Sequence, residues 1–268
     1  RSGVPSNVDL IWLPSTSFMP PPYCRIASVY DCTVGFPFFL RVRDAFERLV
    51  RRYGIRFASA ADIGCGTGLF ACYLNRFWGV PVFAVDRSGD MLRLARRNCR
   101  RESVCFLQQD IRCLGLPSRV DLITANFDTL NHLTAPEDLR LAFQCVASNL
   151  QPAGHFYFDI LTPCQPLRGL AYLRNYCTTG HWLRQQVRWE PRRRLMHISA
   201  VHRRSGSCRP LTERITERAY GAAELSKWLS ESGFLIRGVH DEATLRVPAD
   251  CPSRIIVAAQ KTKGGAPD

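Results

Sequence analysis

Apolar residues between positions 39 and 53 recur every three or four positions, which predicts an amphipathic helix that buries one face. That face consists of Phe39, Val42, Phe46, Leu49, Val50 and Tyr53. Gly54 follows directly and suits a helix end, because glycine adopts left-handed backbone angles without strain. Residues 1–24 lack such periodicity and are rich in proline and serine, so an extended N-terminal arm is predicted there.

Short apolar runs and helical patterns alternate along the next hundred residues. The runs predict five strands, at 57–63, 81–86, 103–110, 119–126 and 154–161. The helical patterns between them place three sets of residues on buried faces: Phe70, Tyr73, Leu74 and Phe77; Met91, Leu94 and Ala95; Leu139, Ala142, Phe143, Val146 and Leu150. Because strands separated by helices need crossover connections, this order predicts a parallel sheet with helices on both faces.

The pattern changes to strict alternation of apolar and polar positions in residues 181–220. Two turn sequences, "EPRR" and "RSGSCRP", divide this region and predict three antiparallel strands. A helix and two strands are predicted to follow, at 221–233, 234–241 and 254–261. We therefore expect one α/β domain over residues 25–268, with an antiparallel β-meander cap inserted at about 163–220.

The chain is strongly basic, with 36 lysines and arginines against 23 acidic residues and a formal net charge of +13. Such a balance favours association with polyanions but does not by itself identify a nucleic-acid substrate. Ten arginines lie between residues 184 and 218, in the predicted cap. They fit recognition of an anionic substrate or RNA, but the arginine bias of the whole chain favours a solvated sheet face whose charges discourage aggregation.

Twelve cysteines are scattered singly, and none has the two-residue spacing of a zinc or redox motif. We therefore predict no metal site and expect mostly buried, reduced thiols. The sequence has no run of about 18 apolar residues and no basic-then-apolar beginning, so we expect a cytoplasmic protein without a membrane span.

A glycine-rich turn, "ADIGCGTGLF" at residues 61–70, follows the first predicted strand. A dinucleotide-binding turn would need glycine where Leu69 stands, and no Gly-Lys-Ser/Thr sequence is present to hold phosphates. Carboxylates end three successive strands, at Asp62, Asp86 and Asp110. They suit, in turn, a cationic amine, ribose hydroxyls and an adenine amine, whereas Asp62 is hard to reconcile with a pyrophosphate. A ligand with these groups and no phosphate is S-adenosylmethionine.

The segments "ADIGCGTG", "VFAVDRSGDML", "LQQDI" and "LQPAGHFYFDI" resemble the successive motifs of class I S-adenosylmethionine-dependent methyltransferases. The resemblance implies a Rossmann-like fold: a seven-stranded, mostly parallel sheet whose last strand is antiparallel. It also implies that Asp62 lies near the methionine amine and Asp86 on the ribose. The other cofactor-binding residues assigned in this way are Gly64, Gly66, Gly68, Met91, Asp110, Ile111 and Asn126.

A Tyr-Asp pair in "ASVYDC", residues 27–32, is similar to a segment that folds over the cofactor in methyltransferases of small metabolites. Tyr30 is therefore a candidate lid residue that contacts the cofactor. The alternative is an aromatic side chain that packs in the core.

The segment "NFDTLNHL", residues 126–133, follows the fourth strand beside the expected position of the methyl group. It lacks the two prolines typical of base-modifying nucleic-acid methyltransferases. Asp128 and His132 are candidate bases or substrate contacts, and Tyr220 is a candidate for the substrate pocket. Each has a structural alternative: loop hydrogen bonds for Asp128, a surface position for His132 and core packing for Tyr220.

Methyl transfer mainly requires that nucleophile, methyl group and sulfur be aligned and desolvated, so few catalytic residues are expected. The sequence predicts a methyltransferase that acts on the nitrogen or oxygen of a small molecule, as a monomer or homodimer, and the basic charge is compatible with an anionic acceptor. Two alternatives stay open: an RNA methyltransferase, and a non-catalytic subunit that binds the cofactor.

Overall fold

The structure is a computed structural model that describes residues 27–100, 103–164, 171–178, 180–206, 210–248 and 252–263. Its helices are α1 (Ala27–Tyr30), α2 (Phe36–Tyr53), α3 (Leu69–Trp78), α4 (Gly89–Asn98), α5 (Pro136–Asn149) and α6 (Ala222–Glu231). Its strands are β1 (Ala60–Ile63), β2 (Val82–Asp86), β3 (Val104–Gln108), β4 (Val120–Ala125), β5 (Leu150–Leu161), β6 (Ala171–Thr178), β7 (His181–Glu190), β8 (Leu195–Arg204), β9 (Leu211–Arg218), β10 (Phe234–Asp241) and β11 (Arg254–Lys261). The predicted arm, residues 1–24, lies outside the described residues.

Seven strands form the main sheet in the order β10-β11-β5-β4-β1-β2-β3. Strands β1 to β5 pair in parallel, and β11 runs antiparallel to both of its neighbours. The predicted α/β fold, with its seven strands and antiparallel last strand, is confirmed. The carboxyl ends of β1, β2 and β4 meet at one edge, and ligands bind at this edge in open parallel sheets.

Both faces of the main sheet are covered by helices, which is why all four residues of β1 are buried. One core layer centres on Phe143, Phe156 and Phe158. The other centres on Phe46 and Phe70, with Phe46 fully buried on α2 as its spacing predicts. Helix α2 ends at Gly54, whose φ of 59° is left-handed, as predicted from glycine's freedom at a helix end.

The second sheet is fully antiparallel, in the order β6-β7-β8-β9. We predicted three strands here, and the structure adds a fourth, β6. Its residues alternate only between half-buried and exposed positions, and Arg174 occupies one of the half-buried sites. The period-two hydrophobic pattern that identifies a strand is therefore weak in β6.

Two expectations are wrong, one about Phe77 and one about the cysteines, of which Cys105, Cys113 and Cys177 are exposed. Phe77, predicted on a buried helix face, is 66% exposed and stacks on Tyr73 at the surface. Cys72 and Cys99 form a disulfide that joins α3 to the end of α4, with Cα atoms 5.6 Å apart, and Cys164 is also disulfide-bonded. The chain separates Cys72 from Cys99 by 27 residues, so only the packing of the two helices reveals the pair.

Within the described ranges, no group of three or more histidine, cysteine or acidic side chains could hold a metal ion. No helix in that part of the chain is long and apolar enough to cross a membrane.

Candidate active site

The glycine turn links β1 to α3 at the carboxyl edge of the main sheet. Gly64, Gly66 and Gly68 have φ values of 66°, 53° and 85°, a region that residues with side chains rarely adopt. A Cβ atom on Gly64 would overlap the side chain of Thr129, whereas one on Gly66 would meet nothing within 4 Å. The turn is therefore closed behind Gly64 and open at Gly66, where a ligand can approach the backbone.

An open cavity, about 930 Å³ with the solvent at its mouth included, lies over this turn. Its walls come from the turn, the ends of β2 and β3, the first residues of α4, and the segment after β4. Predicted site residues that line it are Tyr30, Gly64, Gly66, Asp86, Met91, Asp110, Ile111 and His132. The structure thus brings eight residues from distant parts of the sequence to one cavity.

Asp86 ends β2 and lies against the glycine turn. Its Oδ2 atom accepts a hydrogen bond from the Gly66 N–H at 2.8 Å, and its Oδ1 atom accepts one from the Ser88 N–H at 2.8 Å. Burial raises the pKa of this carboxyl, while the two backbone donors oppose the rise. Each carboxylate oxygen can accept more than one hydrogen bond, so Asp86 can also receive ribose hydroxyls.

Asp62 lies behind the cavity wall, next to the lining residue Ile63. Its side chain is 2% exposed and accepts a hydrogen bond from the Thr124 hydroxyl at 2.7 Å. Burial raises the pKa of Asp62 to about 7, with a further rise from the negative charge of Asp86. A cation bound nearby would stabilise the ionised form of this carboxyl.

Asp110 ends the loop after β3 and binds the side chain of Arg112 through two hydrogen bonds, at 2.9 Å and 2.7 Å. It also accepts a hydrogen bond from the Arg112 N–H at 2.9 Å. Although burial acts to raise the pKa of Asp110, these hydrogen bonds outweigh it and the pKa falls below its ordinary value. Asp110 is therefore an anion at neutral pH, with part of its acceptor capacity already used.

Met91 is 3% exposed and lines the cavity from the first turn of α4, where its N–H donates to the Ser88 hydroxyl at 3.3 Å. Gly68 and Asn126 are not part of the lining. Gly68 packs against Ala95 and Cys99 instead. The Asn126 side chain is 1% exposed, and neither polar atom of its amide has a hydrogen-bond partner among the described residues.

Two of these observations test whether S-adenosylmethionine fits the site. A buried amide without a partner is costly, so the Asn126 side chain fits a polar group supplied by a ligand. The open side of Gly66, beside the Asp86 carboxylate, fits a ligand that approaches the backbone closely. The residues present are therefore suited to the adenosyl ligand that the sequence predicts.

The segment that carries Tyr30 folds over the cavity. Asp31 accepts hydrogen bonds from the Thr67 hydroxyl of the glycine turn and from the Asn98 amide, the latter at 3.1 Å. Asn98 also donates to the Thr67 carbonyl at 2.9 Å. Burial raises the pKa of the Tyr30 hydroxyl, and four nearby carboxylates raise it further, so Tyr30 stays neutral. Sequence reasoning named Tyr30 but missed the role of Asp31 as the attachment point.

His132 lines the cavity, and its Nε2 atom lies 3.9 Å from the Glu217 Oε1 atom on β9. Burial lowers the pKa of His132 to about 4, although the charge of Asp128 opposes this. The imidazole is therefore neutral at physiological pH and a weak base, and it can take part in hydrogen bonds through either ring nitrogen. The position of Glu217 was not predicted, because 85 positions separate it from His132 in the sequence.

Asp128 and Tyr220 do not line this cavity. The Asp128 carboxylate binds the guanidinium of Arg254, with an Nη2–Oδ2 distance of 2.9 Å. Tyr220 is 1% exposed, donates its hydroxyl hydrogen to the Leu133 carbonyl, and packs against Trp228. The structure thus brings His132 to the cavity but places Tyr220 in the core.

A second, smaller cavity, about 510 Å³ with the adjoining solvent included, borders the first, between the main sheet and the β6–β9 sheet. Tyr30 and Phe127 line both cavities and separate them. The second cavity carries the charged side chains of Asp128, Glu217, Arg174 and Arg254 on its walls. A molecule bound there would lie beside the cofactor cavity.

Comparison with known proteins identifies the class. Residues 60–154 match the family model described as "Methyltransferase domain". An S-adenosylmethionine-dependent methyltransferase from Clostridium acetobutylicum ATCC 824 has a similar structure, with a TM-score of 0.76, 24% identity, and coverage of 90% of this chain and 99% of that one. Residues 60–154 are thus a methyltransferase domain, within the fold of the class I S-adenosylmethionine-dependent methyltransferases, and the predicted resemblance is confirmed.

Two relatives are described as acting on amino sugars. A dTDP-3-amino-3,6-dideoxy-alpha-D-glucopyranose N,N-dimethyltransferase from Streptomyces fradiae is 33% identical over 133 residues, which is 48% of this chain and 51% of that enzyme. The chain therefore matches about half the length of this curated relative. The structure of CalS10 with bound S-adenosylmethionine, an amino pentose methyltransferase from Micromonospora echinaspora, is similar with a TM-score of 0.65, at 20% identity and with 84% of this chain and 91% of that one covered.

Proposed function

We propose that this protein transfers a methyl group from S-adenosylmethionine to the amino nitrogen of a small molecule of the amino-sugar class. The observation that carries the proposal is the pair of adjoining cavities, which share Tyr30 and Phe127 as a common wall. One cavity suits an adenosyl ligand, and the other offers carboxylates and the guanidinium group of Arg174 to an acceptor. The names of the relatives from Streptomyces fradiae and Micromonospora echinaspora support an amine as the acceptor.

For the cofactor we assign Gly64, Gly66 and Asp86 to the sugar side of the cavity, with Met91, Asp110 and Ile111 around the adenine. Asp62 and Gly68 support the site from behind, and we assign the unpartnered amide of Asn126 to a polar group of the cofactor. When bound, S-adenosylmethionine supplies an electrophilic methyl group on a sulfonium sulfur. The chain then has to align the acceptor and exclude water, because a neutral thioether leaves without help from an acid.

Three residues can act on the acceptor. Tyr30 covers both cavities, and its neutral hydroxyl can orient an amine through a hydrogen bond. His132, uncharged at neutral pH but a weak base, can orient the acceptor amine through a hydrogen bond, while the proton that the amine loses on methylation leaves to solvent. Asp128, on the wall of the second cavity, can accept a hydrogen bond from the acceptor amine, which has to be neutral to attack the methyl group. We assign Tyr220 no contact with substrate, since its hydroxyl binds a backbone carbonyl in the core.

We also propose that the acceptor carries an anionic group. Arg174 lines the second cavity and is a suitable partner for an anionic group on the acceptor, such as a phosphate attached to a sugar. A cytoplasmic location and a monomeric or homodimeric state remain predictions from the sequence.

Calorimetry tests the cofactor half of the proposal. Replacement of Asp86 removes charge-assisted hydrogen bonds, each worth about 1.5–3 kcal/mol, so Asp86→Ala should raise the Kd for S-adenosylmethionine about 10–100-fold. Asp121→Ala is the matched control, because Asp121 also accepts a backbone N–H, from Ala58 at 2.9 Å, but at the opposite edge of the sheet. Absence of wild-type binding, or equal affinities for wild type and Asp86→Ala, contradicts the assignment.

Mass spectrometry tests the acceptor half. Incubation with S-adenosylmethionine and a panel of nucleotide-linked amino sugars should add one or two methyl groups to an amino sugar, and none to the corresponding hydroxy sugar. Methylation of RNA, together with RNA binding that weakens steeply with salt, would favour the alternative of an RNA methyltransferase. Cofactor binding without transfer to any acceptor would favour a non-catalytic subunit.

A further inference from the structure

The backbone after β4 has an unusual conformation. Phe127 and Asp128 are consecutive residues with left-handed φ values of 62° and 60°. Side-chain-bearing residues adopt this region rarely, and a pair in succession persists only where the surroundings hold it in place. We refer to these two residues as the left-handed turn.

One buried carboxylate holds both N–H groups of the left-handed turn. Asp159, near the end of β5, accepts a hydrogen bond from the Phe127 N–H at 2.6 Å and one from the Asp128 N–H at 3.4 Å. Its side chain is 1% exposed. In this low-dielectric position, hydrogen bonds from backbone donors to a carboxylate are strong.

Arg254, the first residue of β11, completes the arrangement. Its guanidinium pairs with Asp159 and with Asp128, so it neutralises the buried carboxylate and binds the turn through a side chain as well. The same guanidinium lies over the ring of Phe38, 4.9 Å from its centroid. The Phe38 ring in turn contacts Phe127, with centroids 4.9 Å apart.

This network ends on Phe127, whose side chain stands between the two cavities. We propose that Asp159 and Arg254 are positioning residues that hold the left-handed turn, so that Phe127 forms a fixed wall between the cofactor and the acceptor. A fixed Phe127 would control how closely an acceptor amine approaches the methyl group. This consequence rests on the proposed function. Neither residue touches the cofactor cavity, so cofactor affinity should not depend on them.

Two variants test the proposal, with one control. Asp159→Asn keeps the size of the side chain but replaces one of the two acceptor oxygens with an NH₂ group. This group faces the N–H donors of Arg254 or of the left-handed turn, and two donors cannot form a hydrogen bond with each other. Arg254→Lys keeps the positive charge but loses the planar group that binds two carboxylates. Asp121→Asn is the control, since its carboxylate also accepts a backbone N–H on a neighbouring strand but lies at the other edge of the sheet.

Hydrogen exchange measures the turn directly and needs no acceptor. In both variants we expect the Phe127 and Asp128 amides to exchange at least tenfold faster, while the amides of the glycine turn stay at wild-type rates. For an acceptor that the wild type methylates, kcat/KM should fall at least tenfold, with the Kd for S-adenosylmethionine changed less than threefold. Arg254→Lys should retain more activity than Arg254→Met.

Wild-type exchange rates in both variants would overturn the proposal. So would a parallel loss of acceptor turnover, cofactor affinity and melting temperature, because that pattern indicates a general structural role. If Asp159→Asn does not fold, Arg254→Lys carries the test alone. If the wild type binds cofactor but methylates no amine, the proposed function fails, and the exchange rates still decide the role of Asp159 and Arg254.

Discussion

Binding of S-adenosylmethionine should release a proton from Asp62. This carboxyl is buried behind the cavity wall, and its pKa is raised to about 7. If the cationic amine of the ligand lies near Asp62, as the motif resemblance implies, it will favour the ionised form and lower the pKa. The proton held by the free protein is then lost to the buffer.

The size of the release follows from the pKa of about 7 in the free protein. Complete ionisation on binding would release about 0.9 proton at pH 6, about 0.5 at pH 7 and about 0.1 at pH 8. The measurement at pH 6 is the cleanest, because a free α-amino group with a pKa of about 7.7–8.0 is almost fully protonated there and takes up little.

Calorimetry in two buffers with different enthalpies of ionisation measures this number, since the observed heat includes that of the buffer that takes up the proton. Asp62→Asn should remove the release at pH 6, while Asp121→Asn should keep it. A wild-type release below about 0.3 proton at pH 6, or the same release in Asp62→Asn, would refute the reasoning.

The same pKa also affects folding. The pKa of Asp62 rises from 3.8 to about 7, so in the free protein its protonated form is favoured. Between these values the unfolded chain has lost the proton and the folded chain still holds it, so stability falls as pH rises. The shift lowers the free energy of unfolding by about 3 kcal/mol between pH 4 and pH 7, measurable as the difference in pH dependence between wild type and Asp62→Asn.

Three further predictions concern stability. Gly64→Ala and Gly54→Ala both place alanine at a positive φ, which costs about 1 kcal/mol of stability. Gly64→Ala should lower the free energy of unfolding, measured with denaturant, by about 1–3 kcal/mol more, because only its Cβ atom meets a side chain. Tyr220→Phe should cost about 1–3 kcal/mol, since it leaves a buried carbonyl without its donor, with kcat unchanged; a large fall in kcat would restore a catalytic role for Tyr220. Loss of the Cys72–Cys99 disulfide, by Cys72→Ser, should cost roughly 3–4 kcal/mol for a loop of 27 residues, and equal stability with and without reductant would contradict the bond.

The sequence predicts the parts of the fold whose patterns are local. The strands at 234–241 and 254–261 match β10 and β11 at both ends, because their apolar residues pack in the sheet and their neighbours are clear turn residues. Strand β6 was missed because its side chains are only half buried, which leaves little periodicity to detect.

In the candidate site, too, local sequence patterns predict some residues but not the contacts between distant segments. Asp86 and Asp110 could be named because carboxylates after successive parallel strands must meet at one edge. The pairing of Asp159 with Arg254 joins residues 95 positions apart, and no local pattern indicates it. The attachment of Asp31 to Thr67 is likewise a contact between distant segments, although the Tyr-Asp sequence marked the right place.

The segment from Tyr30 to Phe38 has a consequence for the order of events in turnover. Tyr30 walls the cofactor cavity, and Tyr30, Val34 and Phe38 wall the acceptor cavity. The segment is fastened at Asp31 through Thr67 and Asn98, so its release would uncover both cavities together. On the proposed function, opening of this segment would be a step shared by the departure of the methylated product and of the spent cofactor, so weakening this attachment should speed both departures.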